Sequence, residues 1–312
     1  MPRWSFVGSY GKSASMLEIQ NPKAVLAISS QVGRGSVGLR AAGFAIERLG
    51  LPVWKVPTIW MPWHPGHAKT LGVPPRHPTP DDVFDESLSA LVGTPVIGEV
   101  GAILTGYFAS AGQVKATCRA IDAVRAASPD VLVVCDPVSA DSHGTYVPQE
   151  VVEAIRTDLL PRCDLATPNR FEVAAFSGME LADDNATLVR MAQALGVPRV
   201  VVTSAFGMMK NAIGTLLVDG KGSTLAEHSL VPGAPHGTGD MFSALLTAHL
   251  LMGHHAEKAM VLATSSVFEM VARSVKAGSD ELLVAREQAS LISPMAMVTT
   301  RRLAAARVKA SS

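Results

Sequence analysis

The chain has 312 residues, of which 48% are apolar and 17% charged, enough to bury a large core. Its 27 Lys and Arg balance 27 Asp and Glu, so no basic field draws it to nucleic acid or to an anionic membrane. Three cysteines (Cys118, Cys135, Cys163) form no close pair and no metal-ligand spacing, which reads as reduced thiols in a cytoplasmic enzyme or small-ligand protein.

The first 22 residues show no periodicity and no continuous apolar stretch of a signal peptide, so they read as a flexible tail, with Met16 a second candidate start. Within them Gly8-Ser9-Tyr10-Gly11-Lys12-Ser13 mimics a P-loop, but two residues separate the glycines where four are needed, and no strand precedes it. From Lys23 the text alternates. A buried strand over Ala24–Ser30 precedes a helix from about Gly38 to Leu49, then a strand over Val53–Val56. Residues 57–80 break the rhythm with seven prolines, two tryptophans and three histidines, as expected of a lid, a binding loop or an assembly arm. Strands at Ala102–Thr105, Val131–Cys135 and Val200–Thr203 resume the pattern, with a helix over Gly112–Ala127. Ile213–Val218 and Thr224–Leu230, joined at Asp219-Gly220, read as a hairpin. Strands alternating with helices predict one α/β domain over residues 23–300, a doubly wound, mostly parallel sheet with helices on both faces, and a flexible tail over 301–312.

Gly237-Thr238-Gly239-Asp240 opens a helical pattern running from Met241 to Met252. Glycines at a helix start let successive N–H groups converge on an anion, and the helix dipole adds to the field. An Asp inside that turn is unfavourable near phosphate unless it takes a proton there, which points to phosphoryl transfer with Asp240 as base. An ordinary capping turn explains the same four residues about as well. Gly33-Arg34-Gly35-Ser36-Val37-Gly38 fits the dinucleotide fingerprint, yet Val53-Trp54-Lys55-Val56 offers no carboxylate for a ribose, which disfavours an NAD-dependent dehydrogenase. Asp136 ends a buried strand, where ligands sit in such sheets, though Asp-Pro is also a common turn. Thr167-Pro168-Asn169 followed by Glu172 reads either as a helix cap or as a metal-water site. His64 and His67 lack a third metal ligand in sequence, so a substrate or surface role is expected of them.

These pieces, in this order from Ala24 to Gln288, resemble the pyridoxal kinases of the ribokinase-like superfamily. Ser30-Gln31-Val32-Gly33 through Gly38 is similar to the family's opening motif, Thr105-Gly106-Tyr107 to its S-G-Y turn, and Gly237–Asp240 to its anion hole and base. The resemblance implies a fold without a separate lid domain, usually a homodimer, using ATP and Mg2+ with a monovalent cation such as K+. It implies that Ser30, Thr58, His64 and Tyr107 line the substrate pocket. Asp136, Tyr146, Asn169, Thr203 and Ser204 would serve ATP; Asp136 and Glu172 would support the metal; Gly237, Thr238 and Gly239 would form the anion hole beside Asp240. The implied reaction phosphorylates the 5′-hydroxymethyl group of pyridoxal. Gln31, Gly33, Ser36, Leu39 and Met61-Pro62-Trp63 depart from the family on the side where the ring would sit. A kinase for hydroxymethylpyrimidine or a related heterocycle is therefore the alternative, and a catalytically silent nucleotide-binding regulator a more distant one.

Overall fold

A computed structural model describes residues 22–303. The expected N-terminal tail, its P-loop mimic and Met16 lie outside the described residues. In chain order the elements are β1 (Ala24–Arg34), α1 (Gly38–Arg48), β2 (Val53–Trp63), α2 (Ala68–Leu71), β3 (His77–Pro78), α3 (Asp81–Val92), β4 (Val100–Thr105) and α4 (Ala111–Ala127). There follow β5 (Leu132–Cys135), β6 (Ala140–Asp141), β7 (Gly144–Thr145), α5 (Gln149–Ala154), β8 (Leu165–Ala166), α6 (Arg170–Ser177) and α7 (Asn185–Ala194). The last third holds β9 (Arg199–Phe206), β10 (Ala212–Asp219), β11 (Gly222–Ser229), α8 (Thr238–Leu251), α9 (Ala256–Lys276), α10 (Ala289–Ile292) and β12 (Thr299–Leu303).

One sheet of ten strands runs β12-β11-β10-β9-β8-β5-β4-β1-β2-β3. The pairs from β2 across to β9 are parallel, and β3, β10, β11 and β12 join antiparallel at the edges. Because successive side chains on a strand face opposite ways, each central strand feeds two cores. Leu26, Ile28, Ile103 and Val133 point into the core beneath α3 to α7, whereas Val25, Ala102, Leu104 and Val134 point into the core beneath α1, α8 and α9. Both faces are covered, as a doubly wound sheet requires. Among the described residues no helix is long and apolar enough to cross a membrane, and all three cysteines are buried and free.

Chain order reverses between β1 and β4: β2 lies on one side of β1 and β4 on the other. Such a switch opens a crevice at the carboxyl ends of the strands. The residues after β1, β4, β5, β8 and β9 all emerge there. Ser110 caps α4 by accepting the Gln113 N–H at 3.1 Å, and Asp184 caps α7 by accepting that of Thr187. The predicted hairpin is present as β10 and β11, with its turn one residue later, at Gly220-Lys221.

Two expectations need correction. The stretch 57–80 is no single irregular loop, for β2 continues through Trp63 and pairs with β1 as far as Arg34. Pro57 and Pro62 erased the alternating pattern. A strand paired on its outer side only at Ile59 and Trp60 tolerates residues with no N–H to donate. At the other end residues 301–303, expected in a flexible tail, belong to edge strand β12, while residues 304–312 lie outside the described residues. Arg301 holds that strand by donating from Nε to Glu227 Oε1 at 2.7 Å, and Glu227, with a fully buried side chain, also accepts the Met208 and Met209 N–H groups. Arg301→Met leaves this carboxylate short of its cationic partner. Chemical denaturation should record a loss of about 1–3 kcal/mol; an unchanged midpoint would mean that β12 adds nothing.

Candidate active site

Two glycine turns meet at the crevice. Gly237 caps α8 in the left-handed conformation (φ 92°) and offers no side chain to the helix start. The N–H groups of the first turn are therefore not satisfied by a cap, in a helix long enough to carry a dipole. A Cβ on Gly237 would stand 1.9 Å from the Ser36 carbonyl oxygen, so only glycine lets the two turns touch. Gly38 has a φ of 55°, and a Cβ there would lie 2.2 Å from the Ser30 carbonyl oxygen. From this turn the Gly38 N–H donates to the Asp240 carboxylate. Gly239, in contrast, sits in ordinary helical backbone, and a Cβ there would meet Asp136 Oδ2 at 3.9 Å, an ordinary van der Waals distance. The turn's need for positive φ belongs to Gly237 and not to Gly239.

Asp240 projects from the first turn of α8 toward Asp136, which follows β5. Burial raises the Asp240 carboxyl to about 6, with the Gly38 N–H and its own N–H pulling the other way. Asp136 is raised too, by burial first and then by the Asp240 charge. Ser243, one turn along α8 from Asp240, donates to Asp136 Oδ2 at 2.8 Å and shares a 2.8 Å hydrogen bond with Thr167 after β8. The Thr105 hydroxyl is buried beside this group and has no partner among the described residues. Ser29, Thr105, Gly106, Asp136, Asp240 and Ser243 surround one small void, so the ends of β1, β4 and β5 converge on α8.

Glu172 is both cap and anchor. Asn169 accepts from the Phe171 and Glu172 N–H groups, and Glu172 Oε2 accepts the Asn169 N–H at 2.8 Å, a complete capping box. Its other oxygen accepts the Ser139 N–H at 2.9 Å, tying α6 to the β6–β7 flap, and Asn169 Nδ2 donates to the Ala140 carbonyl. Burial, then the Asp136 charge, raises the Glu172 carboxyl. Tyr146 follows the flap, and its hydroxyl is pushed up by burial and then by the carboxylates of Glu172, Asp136, Asp240 and Asp141. Its ring is 48% exposed, so it covers the acidic group from the solvent side.

A cavity of about 260 Å³ opens next to the α8 N-terminus and is lined by Asn169, Thr203, Ser204, Thr238 and Gly239. Thr203 and Ser204 stand together opposite Thr215 where the β9–β10 register slips. Ser204 adopts a φ of 55°, a conformation rare outside glycine. The bulge turns both residues toward the cavity. Its apolar walls were not legible as a site: Ile213 on β10, His228 on β11, and Thr264, Val267, Phe268 and Val271 on α9. The α9 residues have the spacing of an ordinary core face, and His228 stacks on Phe268 at 4.2 Å between ring centres.

On the other side of the Asp pair, Ser30 packs against Gly38, and Tyr107 donates its N–H to Ser29 Oγ at 3.1 Å while its hydroxyl meets Arg76. Thr58 is fully buried and donates to the Tyr107 carbonyl at 2.8 Å, so it holds Tyr107 from behind. His64 Nδ1 accepts the Gly66 N–H at 3.1 Å, which places the ring proton on Nε2. Burial first, then His236 and His67, lower its pKa to about 4, and the ring is neutral at pH 7. Two of the departures from the resembled family have packing or backbone partners. Leu39 is a core residue, and Ser36 donates to the Leu282 carbonyl at 2.8 Å.

A sheet-end crevice, an uncapped glycine helix start and a half-buried Asp at its first turn define a small-molecule kinase of the ribokinase-like class. The family described as phosphomethylpyrimidine kinase matches residues 67–285. A pyridoxal kinase (PdxY) of Rubrobacter xylanophilus is 31% identical over 286 residues, covering 90% of this chain and 97% of the relative. A pyridoxine/pyridoxal/pyridoxamine kinase of Bordetella avium is 35% identical over 271 residues, covering 83% and 88%. The pyridoxal kinase of Leishmania donovani, solved with ADP and pyridoxine, superposes with a TM-score of 0.82 at 27% identity, covering 90% of this chain and 99% of that one. The chain belongs to the pyridoxal kinase family.

Two predictions follow from the turns and the buried acid. Gly237→Ala should abolish turnover and lower Tm, whereas Gly239→Ala should leave Tm unchanged; equal Tm values for both would refute the contact with Ser36. The Asp240 carboxyl is higher in the folded chain (about 6) than its ordinary 3.8, so burying it destabilises the fold increasingly as pH rises through that window. Asp240→Asn should therefore raise Tm above pH 6 and give no gain below the ordinary value, as a pH series of thermal melts would record.

Proposed function

We propose that the protein transfers the γ-phosphoryl group of ATP to the 5′-hydroxymethyl group of pyridoxal and its vitamers, giving pyridoxal 5′-phosphate and ADP. The observation that carries this reading is Asp240, held by the Gly38 N–H at the uncapped start of α8 and directly after Thr238 and Gly239, which line the neighbouring cavity. The names of the relatives, all kinases of B6 vitamers, support the acceptor.

In this mechanism ATP occupies the cavity with its base among Ile213, His228 and Phe268, and its ribose and phosphates along Asn169, Thr203 and Ser204. The α8 N–H groups of Thr238 and Gly239 point at the charge that develops as the phosphoryl group moves, where a preformed donor is most effective. The substrate ring lies between Ser30, Tyr107 and His64, whose Nε2–H is free to donate. Asp240 takes the proton of the attacking hydroxyl, leaving an alkoxide-like oxygen in line with the γ-phosphorus. Tyr146 on its flap excludes water.

Mg2+ belongs to the proposal. Asp136 and Glu172 are buried and both raised, by burial first and then by a neighbouring carboxylate, Asp136 offers a second oxygen, and the Thr105 hydroxyl has no partner among the described residues, a donor set that fits a hydrated hard cation. Glu172 already accepts three backbone N–H groups and would act through water. The ion would neutralise phosphate charge there, with a monovalent cation nearby, and the working unit would be a homodimer. Deprotonating carboxyls held above their ordinary range should release protons on Mg2+ binding at neutral pH. Titration calorimetry in buffers of different ionisation enthalpy would read it, and a buffer-independent heat would argue against Asp136.

A coupled assay across pyridoxal, pyridoxine, pyridoxamine and hydroxymethylpyrimidine tests the acceptor. A B6 vitamer should have the highest kcat/KM; a dominant pyrimidine would shift the reading to the activity named in the family description. The acid limb of the kcat/KM profile should fall near pH 6, the value of Asp240 in the free enzyme. Asp240→Asn should lower kcat by about a hundredfold or more with ATP affinity preserved. A variant retaining a tenth of wild-type kcat would remove Asp240 from its role as base.

A further inference from the structure

From the sequence a substrate or surface role is expected of His67, yet its side chain is buried, and no third metal ligand stands beside it and His64 in sequence. The fold supplies two. The turn Pro65–His67 carries the His67 ring inward, where it is almost fully buried, and its Nδ1 lies 3.3 Å from Asp280 Oδ2. Its Nε2 lies 3.5 Å from Glu281 Oε1. Ligand atoms from His67, Asp280 and Glu281 all fall within 4.8 Å of one another, and among the described residues they are the one such group.

We infer that His67, Asp280 and Glu281 form a binding site for a divalent transition metal of the Zn2+ or Co2+ type, separate from the nucleotide site. Bonds of about 2.0–2.1 Å place tetrahedral ligands about 3.3 Å apart, the spacing already present between His67 and Asp280. Glu281 reaches the same point by rotating its side chain, and water completes the shell. The donor set selects the metal: an imidazole nitrogen with two carboxylates suits a borderline cation, whereas Mg2+ prefers oxygen and its own waters. The charge agrees. Two carboxylates face one resident cation, Arg34, whose guanidinium lies 3.6 Å from Asp280 Oδ1 and 3.3 Å from Glu281 Oε1. That side chain is 49% exposed and can swing into water when a metal arrives.

The position gives such a site a purpose. Glu281 is bridged through its backbone to His236, the residue before Gly237, and the neighbouring Leu282 carbonyl accepts the Ser36 hydroxyl. The His64 ring, which faces the proposed substrate pocket, stands 4.7 Å from that of His236 and 6.3 Å from that of His67. A bound metal would therefore tie the segment after β2 to residues 280–282, which touch both glycine turns.

Co2+ is the probe, because a tetrahedral nitrogen–oxygen site gives it a visible d–d band. The full chain, free of affinity tags and in excess Mg2+ without ATP, is titrated with Co2+ and followed by absorbance and calorimetry. One ion per chain should bind, with the band lost in both His67→Gln and Asp280→Asn, and Arg34→Met should tighten binding several-fold. Asp280 is exposed, so its variant keeps the test valid if His67→Gln fails to fold. No saturable band, or a band that survives Asp280→Asn, would overturn the assignment, as would Arg34→Met leaving affinity unchanged. The readout needs no turnover, so its failure and a failure of the kinase reading are told apart by the activity of the same preparation in Mg-ATP.

Discussion

The whole site depends on how closely one backbone approaches another. Gly237 lies so near the Ser36 carbonyl that no side chain fits between them, and across this contact the Gly38 N–H reaches Asp240. The first glycine turn follows β1 and the second opens α8, almost two hundred residues later in the chain. Their contact brings the ends of β1 and β4 against the start of α8 and the cavity beside β9. Residues 279–282 brace it from outside through Leu282, which accepts from Ser36, and Glu281, which is bridged to His236.

Placing Asp240 in that contact has a thermodynamic cost. Asp136, Asp240 and Glu172 are all raised by burial, so the folded chain holds acids that water would ionise more readily. The surroundings offset part of this with directed donors: Ser243 to Asp136, Gly38 to Asp240, and Ser139, Ala140 and Asn169 to Glu172. The same bonds carry structure. Glu172 closes the capping box of α6 and at the same time holds the β6–β7 hairpin ahead of Tyr146.

The competing readings of the motifs turned out to be compatible for Thr167–Glu172 and distinguishable for the glycine turn. Asn169 caps α6 and also lines the cavity. In the turn, the positive φ falls on Gly237 alone, a distinction that four letters do not contain. Residues 57–80 misled because prolines hide a strand whose partners lie far away in sequence. His228, Phe268 and the α9 face stayed hidden for the opposite reason: a wall of a ligand cavity and a wall of the core use the same apolar residues at the same spacing.

What the amino-acid order determined by itself is local. It set the alternation of strands and helices, the places where carboxylates and glycines end the strands, and, through the resemblance those motifs carry, the family and its chemistry. Only the tertiary structure decided which distant turns touch, which hydroxyls are spent on backbone, as with Thr58 and Ser36, and that His67 meets Asp280 and Glu281. The physical reason is the range of the forces involved. Periodicity and capping act over a few residues, whereas steric contact, burial and hydrogen bonding across the crevice depend on how the sheet brings its strand ends together.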